Sequence, residues 1–306
     1  MRHPLAMLLA TASIAAALAT TTQSAERYLF GRPLEYELIH SDSGISRPPL
    51  ADIHSAFAKL HLEHSSTTAW IEYGRSGQNK PLMALRIMNR DVSTKRRPAV
   101  FISEAIHGNE YLHITDRLPI EFLAKTNPAP EFNRFIENGG VVYFVPIMNP
   151  DGYSAGQRGN AAGADLNRDF KIQAAGNQGF RQPETRAVTN FVASEAQSLQ
   201  LTVEATMEYH CCIGGLIHPW AWTSEGLTGD ALTRHQEFGE LVKDIFNYPY
   251  GTVSDILGYS AVGGSDDYYL ETYGRRAFSF EGQRSVESRR LADHIRLWDR
   301  FFATLN

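Results

Sequence analysis

Apolar residues along this chain follow two spacings, one typical of amphipathic helices and one typical of buried strands. Residues 50–64, LADIHSAFAKLHLEH, place their apolar positions on one face of a helix. TAWIEYGRS and PLMALRIM predict two strands joined by a turn through Gly77-Gln78-Asn79. PAVFISEAI is apolar almost throughout, as expected of a strand that is buried on both faces.

The alternation of helices and strands continues through the rest of the chain. EYLHITDRLPIEFLAKT predicts a helix that is kinked or bounded at Pro119, and GVVYFVPIMNPDGY predicts a buried strand that ends in a turn at residues 149–152. QLTVEATMEYH predicts a strand that ends on His210, and RRAFSFEG predicts one that ends on Glu281. PETRAVTNFVASEAQSL and SRRLADHIRLWDRFFATL predict helices. The pattern predicts an α/β fold with helices on both faces of the sheet.

Composition and charge narrow the class of protein. The 306 residues are 43% hydrophobic and 21% charged, which is enough apolar material for one large core. The net charge of −5 gives no general electrostatic reason to expect a nucleic-acid partner. The sequence does not indicate an oligomeric state.

The first 25 residues, MRHPLAMLLATASIAAALATTTQSA, differ from the rest of the chain. Arg2 precedes an apolar run, small residues follow, and the segment contains no Asp or Glu. This order is typical of a secretory signal peptide, with cleavage after Ala19 or Ala25. A membrane anchor is the alternative, but the apolar run is short for a span of about 20 residues and is rich in alanine. We predict a signal peptide over residues 1–25, a folded domain over residues 26–306, no membrane contact after removal of the signal, and a periplasmic or secreted protein.

Potential metal ligands follow the predicted strands. His107 and Glu110 lie three positions apart in AIHGNEYLH, and on a helical turn both side chains could reach one ion. His210 ends a second strand and could be the third ligand, and Glu281 ends another. Ligands of open α/β sheets bind at the carboxyl ends of strands. Two imidazoles and a carboxylate, with one position left for water, suit a catalytic zinc ion.

A second group of polar residues suits a carboxylate ligand. GADLNRDF places Asn167 beside Arg168, and Arg158 precedes them in GQRGN. A guanidinium offers a carboxylate a bidentate fork, which an amide can supplement. Tyr259 precedes a glycine turn and two acids in GYSAVGGSDDYY. A solvated loop with ordinary charges is the alternative interpretation.

Seven segments together resemble the zinc metallocarboxypeptidases related to pancreatic carboxypeptidases A and B. In family order they are HGNE, NPDGY, DLNRDF, QPET, YHCCIGGLIHPW, GYSAVGGSDD and FSFEG. Each segment alone is weak evidence for the family, but seven segments in the family's order are a specific signature. The resemblance implies a single α/β domain over residues 26–306 with a mixed, mostly parallel central sheet. It also implies a zinc-dependent peptide hydrolase that releases C-terminal residues.

The resemblance implies roles at the metal centre. His107, Glu110 and His210 match the ligands of one zinc ion. Glu281 matches the general base that takes a proton from water and later delivers it to the leaving amine. Asp165 resembles the acid that orients a zinc-bound histidine.

The other matches concern the substrate. Arg158 matches the arginine that polarises the scissile carbonyl, and Tyr259 matches the mobile tyrosine that covers the bound residue. Asn167 and Arg168 match the clamp on the substrate's terminal carboxylate. Because an internal peptide bond lacks that carboxylate, the resemblance implies a peptide or muropeptide substrate with a free C-terminus.

Asp266 occupies the family position that forms the floor of the specificity pocket. An acid at that position implies a preference for C-terminal Lys or Arg, since a desolvated carboxylate is costly unless a cation pairs with it. The alternative is that Asp266 faces solvent and Asp267 has a structural role.

Two sites depart from the pancreatic pattern. Asn109 stands where the pancreatic enzymes carry an arginine of an outer subsite, so recognition of upstream residues is left open. Cys211 and Cys212 replace a serine and an aromatic residue. Neighbouring Cα atoms lie about 3.8 Å apart, closer than ordinary disulfides prefer, and we therefore predict two buried thiols.

Three other functions fit parts of the sequence. A cell-wall peptide carboxypeptidase cutting the γ-D-glutamyl–diaminopimelate bond would present Asp266 with an ammonium group but also with a carboxylate that it repels. An N-acyl amino acid deacylase of the aspartoacylase type shares HGNE and DLNR, whereas NPDGY, GGSDD and export argue against it. An inactive binding protein on the same fold is the third alternative, although every expected catalytic position is filled.

Overall fold

The computed structural model describes residues 47–283 and 286–306, together with the backbone of residues 28–29 and 32–33. The predicted signal peptide over residues 1–25 lies outside the described residues. Within the described ranges, no helix has the length and apolar character needed to cross a bilayer. Tyr28–Leu29 and Arg32–Pro33 pair antiparallel as a separate two-stranded sheet.

Eight strands form the central sheet. In chain order they are β1 (Thr68–Arg75), β2 (Pro81–Met88), β3 (Arg97–Glu104), β4 (Val141–Val145), β5 (Leu201–Cys211), β6 (Gly215–Ile217), β7 (Tyr250–Gly251) and β8 (Arg276–Gly282). Their order across the sheet is β1-β2-β4-β3-β5-β8-β6-β7. The inner strands β4, β3, β5 and β8 are parallel, and β6 pairs parallel with β7, whereas the pairs β1–β2, β2–β4 and β8–β6 are antiparallel. The predicted mixed, mostly parallel sheet is confirmed.

Nine helices connect the strands within the described ranges. They are α1 (Leu50–Glu63), α2 (Leu118–Phe122), α3 (Pro130–Glu137), α4 (Pro150–Ala155), α5 (Pro183–Ser198), α6 (Gly229–Phe246), α7 (Val253–Leu257), α8 (Ser265–Tyr273) and α9 (Leu291–Ala303), with short 3-10 turns at Leu166–Arg168 and Glu287–Arg289.

Alternate residues of the strands point into two cores on opposite faces of the sheet. On β2, Leu85 and Ile87 belong to the larger core, whereas Ala84 and Met88 belong to the smaller one. Helices α1, α3, α6 and α9 cover the larger core, and α5 and α8 cover the smaller. This arrangement confirms the prediction of helices on both faces.

The segment after β3 is wrongly predicted as a helix over residues 110–126. Only Leu118–Phe122 is helical, and Pro119 lies in the first turn, where its missing N–H costs no hydrogen bond. The backbone N–H groups of residues 112–115 instead donate to the buried carboxylate of Glu104. These bonds replace the ones that a helix would make.

The residues after β4 also differ from the prediction. Asn149 is not in a simple turn but is the N-cap of α4, and its Oδ1 accepts a hydrogen bond from Gly152 N at 2.9 Å. Pro150 takes the first helical position, as proline often does. The sequence Asn-Pro-Asp-Gly suits both a turn and the capped start of a helix, so the residue types alone do not distinguish the two.

His235 on α6 fixes the beginning of β8 and must be neutral to do so. Its Nδ1 donates to Ala231 O at 2.7 Å, and its Nε2 accepts from Ala277 N at 3.2 Å. The side chain is fully buried. Burial lowers the pKa of His235 to about 4.

We expect this histidine to make folding sensitive to acid. Between pH 6.5 and about 4 the unfolded chain binds a proton that the folded state excludes, so stability falls as the pH falls. The pKa difference corresponds to a loss on the order of 3 kcal/mol. Denaturant unfolding of the parent and of His235→Gln over that interval measures the effect, because glutamine can keep one donor and one acceptor. The variant should lose less stability than the parent, and parallel curves would contradict the assignment.

Candidate active site

The candidate ligands meet at the carboxyl ends of three neighbouring parallel strands. His210 is the penultimate residue of β5, and Glu281 is the penultimate residue of β8. The two are direct partners in the parallel register. His107 follows the end of β3 by three residues. Sheet register therefore brings together side chains that are far apart in the sequence.

His107, Glu110 and His210 form a buried cluster with the dimensions of a metal site. Their ligand atoms all lie within 4.8 Å of one another. Glu110 Oε2 is 2.9 Å from His107 Nδ1 and 3.2 Å from His210 Nδ1, and the two Nδ1 atoms are 3.3 Å apart. Ligands that surround zinc tetrahedrally at about 2.0–2.1 Å are about 3.3 Å from one another. The donor set and its spacing fit one divalent ion.

Asp165 sets the orientation of His107. Its Oδ1 accepts from His107 Nε2 at 3.0 Å, so Nδ1 faces the cluster and is the atom that would give its lone pair to a bound ion. Oδ2 accepts from Nε and Nη2 of Arg158 at 3.1 and 3.0 Å. The carboxylate thus holds a ring and a guanidinium together.

Electrostatics make the cluster attractive to a cation. Burial by itself would raise the pKa of Glu110, but hydrogen bonds with His107 and His210 outweigh burial and hold the pKa well below its usual range. Burial raises the pKa of Glu281 to about 7. Glu281 Oε2 and His210 Nε2 are buried polar atoms without a hydrogen-bond partner among the described residues.

The loop that carries His107 and Glu110 is a turn rather than the helical segment that we predicted. Glu110 N donates to His107 O at 2.9 Å, which still places both side chains on one side. Gly108 packs against the start of α4, where an added Cβ would lie 2.0 Å from Gly152 C. Only glycine allows this approach of two backbones.

Two buried side chains that the sequence did not reveal hold this loop. Asn149 Nδ2 donates to Ile106 O at 3.1 Å, which joins the loop to α4. Glu104 collects the N–H groups of residues 112–115 and the Thr115 hydroxyl. The sequence held one clue to the role of Glu104, a lone acid at the end of an apolar strand. A buried carboxylate requires hydrogen-bond donors around it.

One cavity of about 210 Å³ gathers eight of the nine predicted site residues. Its lining includes His107, Glu110, Arg158, Asn167, Arg168, Tyr259, Asp266 and Glu281. His210 lies behind this lining and is only 1% exposed. The sequence therefore identified residues that the fold brings to one place.

The four residues predicted to contact the peptide backbone or cover its last residue differ in their present contacts. Arg158 Nη1 donates to Glu110 Oε1 at 2.9 Å, although 45% of its side chain is exposed. Asn167 Oδ1 accepts from Ser265 N at 2.9 Å, and the exposed Arg168 donates to Asn167 O at 2.7 Å. Tyr259 is 47% exposed at the rim of the cavity.

The two neighbouring acids of α8 have separate surroundings. Asp267 accepts from Ala221 N and Trp222 N, which ties α8 to the segment after β6. Asp266 is buried rather than solvent-facing and lines the cavity, and burial raises its pKa. Asp266 thus borders the cavity, and its role as the floor of a specificity pocket stays a prediction.

The prediction of two buried thiols is wrong. Cys211 and Cys212 form a disulfide with each other. Cys211 is buried at the end of β5, but Cys212 is exposed in the bend that follows. Where the strand ends, the two side chains meet instead of packing separately into the core.

Comparisons of the sequence and of the fold with known proteins point to the same family. The profile of a family described as zinc carboxypeptidase matches residues 53–288. Human carboxypeptidase A5 is 23% identical over 270 residues, and zinc carboxypeptidase A 1 of Anopheles gambiae is 26% identical over 278; each alignment covers 76% of this chain and 59% of the relative. The chain thus spans somewhat less than two thirds of these relatives. The crystal structure of carboxypeptidase A from Helicoverpa armigera superposes with a TM-score of 0.70 at 17% identity, over 94% of this chain and 78% of that one.

We expect Asp165→Asn to lower zinc affinity by about 10–100-fold, because an amide holds the His107 ring less firmly than a carboxylate does. Competition with a chromogenic chelator measures the affinity, and thermal unfolding checks that the variant is folded. Asp293→Asn is the matched control, since Asp293 forms its ion pairs on α9 with Arg290 and Arg296. Equal zinc affinity in folded Asp165→Asn and parent would exclude the orienting role.

Proposed function

The chain belongs to the zinc carboxypeptidase family, and from that membership we propose that it is a zinc-dependent carboxypeptidase that releases C-terminal Lys or Arg from peptides. The observation that carries the proposal is the shared cavity. Two members of the metal-type cluster, two further buried acids and two guanidinium groups line it, and the third member, His210, lies directly behind. An exported enzyme, as the N-terminal segment predicts, would act on peptides outside the cytoplasm.

His107, Glu110 and His210 would hold a single zinc ion. When bound, zinc supplies a Lewis acid and lowers the pKa of water towards about 7, so that a nucleophile is available at neutral pH. The chain's contribution is to present one nitrogen from each of two imidazoles and one carboxylate oxygen at the right spacing, with Asp165 fixing one ring.

Glu281 would act as the general base and acid. Its carboxylate lies beside His210 in the register, and its buried Oε2 is free to accept a proton from water. Burial raises the pKa of Glu281 to about 7, close to the value at which one group can both take and return a proton. The returned proton goes to the leaving amine.

The guanidinium groups would position the peptide and explain why only the last bond is cut. Arg158 can stabilise negative charge that develops on the scissile carbonyl oxygen once its exposed side chain turns from Glu110 towards the substrate. Arg168 and Asn167 can bind the terminal carboxylate, with Tyr259 covering the residue. Asp266 supplies a buried negative charge for a basic side chain.

The contacts of the cavity favour this proposal over its alternatives. An N-acyl amino acid deacylase has no need of a buried acid at Asp266, and the matching family profile is that of carboxypeptidases. An inactive binding protein has no need of a buried carboxylate with an unpaired oxygen beside the metal-type cluster. A peptide that ends in diaminopimelate is included as a substrate in the test, because the ammonium group of diaminopimelate also suits Asp266.

A terminal-residue release assay tests the proposal. The purified protein is incubated with peptides that differ only in a C-terminal Arg, Lys, Phe or Glu, and with a muropeptide ending in diaminopimelate, each with and without a zinc chelator. We expect release of the basic residues, its loss with chelator and its recovery when zinc is restored. Glu281→Gln should still bind zinc, but its rate of residue release should fall at least about 10²-fold, as expected when a general base is removed. Faster release of Phe than of Arg would contradict the basic preference, and chelator-resistant release would contradict the metal requirement.

A further inference from the structure

A second acid lies beneath the proposed specificity pocket. Glu208 is on β5, two residues before His210, so the two side chains project from the same face of the sheet. Its register partners are Ser103 on β3 and Ser279 on β8. Ser279 lines the site cavity. Glu208 is therefore in the row of the sheet directly below His210 and Glu281, next to the base of that cavity.

Asp266 forms the wall between the site cavity and a narrow rear cavity. The rear cavity lies between the sheet and helices α5 and α8, and its mostly apolar lining includes Glu208, Ser265 and Asp266. Asp266 lines both cavities. The rear cavity holds only about 10 Å³, so Asp266 and Glu208 are close-packed neighbours at the base of the site cavity.

Glu208 and Asp266 are both buried, and Glu208 keeps one acceptor oxygen unused. Glu208 is 3% exposed, its Oε2 accepts from Ser103 Oγ at 2.9 Å, and its Oε1 has no hydrogen-bond partner among the described residues. Asp266 is 4% exposed, and its Oδ1 accepts from Asp267 N at 3.0 Å. In the part of the chain that the structure describes, no lysine or arginine pairs with either carboxylate. Two buried acids without a cation are costly, and a cationic ligand removes that cost.

We propose that Glu208 is a second specificity-determining residue of this site, and that Asp266 and Glu208 share the guanidinium of a C-terminal arginine at the base of the site cavity. The inference rests on the proposed carboxypeptidase function and refines its substrate class. A guanidinium has five N–H donors in a flat fork and can serve two carboxylates at once, whereas a lysine ammonium is a compact point charge. The site therefore prefers arginine to lysine. It disfavours diaminopimelate, whose side-chain carboxylate would face two acids.

The ratio of kcat/KM for paired peptides ending in Arg and Lys tests this role. We expect the parent to favour Arg, and Glu208→Gln to reduce the Arg-to-Lys ratio by about tenfold, the value of one hydrogen bond between charged groups. Glu204→Gln is the matched control, because Glu204 lies on the same strand but faces Arg275 and Arg276 outside the cavity. Its ratio should equal that of the parent. If Glu208 had only a structural role, its replacement would lower kcat/KM equally for both substrates and leave the ratio unchanged.

A binding measurement keeps the inference testable if Glu208→Gln does not fold. Calorimetry of the zinc-loaded parent with free L-arginine and L-lysine should show tighter binding of L-arginine. Equal binding, tighter binding of L-lysine, or an unchanged ratio in folded Glu208→Gln would each overturn the inference while leaving the carboxypeptidase assignment intact. If the parent releases no residue from any peptide, the proposed function itself fails, and the inference fails with it.

Discussion

The buried contact of two imidazoles with one carboxylate is the constraint on which the remaining structure depends. His107, Glu110 and His210 place polar atoms 2.9–3.3 Å apart in the interior. Such a group is stable only if its members bond to one another or to a cation, and the surrounding residues serve that requirement. Asp165 fixes one ring, and the sheet register fixes the other beside Glu281.

The scaffold explains why these side chains arrive with the necessary accuracy. Two of the three segments are ends of adjacent parallel strands, so their spacing is set by backbone hydrogen bonds. The third segment is a loop, and it is held by close backbone contact at Gly108, by Asn149 and by Glu104. The rigid parts thus lie behind the metal cluster, whereas the exposed Arg158 and Tyr259 at the front can adjust to a substrate.

The sequence predicted the sheet and the metal cluster well, because both depend on local patterns or on recognisable motifs. The limits of β1, β2 and α1 agree with the predicted segments to within one residue. Prediction failed at residues 110–117, where a helical pattern of apolar residues lost to hydrogen bonds with Glu104 from an earlier strand. It did not separate a turn from a capped helix at Asn149, since both use the same residues. The position of Glu208 beneath the pocket depends on tertiary contacts that no local pattern records, whereas the disulfide between the neighbours Cys211 and Cys212 contradicts the prediction from Cα spacing.

The most direct test is an anomalous difference map at the zinc absorption edge, from crystals of the full chain grown with zinc. The account predicts one strong peak that is bonded to His107 Nδ1, His210 Nδ1 and the carboxylate of Glu110, with Glu281 nearby but not a ligand. A map without a peak shared by those three side chains, or with zinc bound elsewhere only, would contradict it.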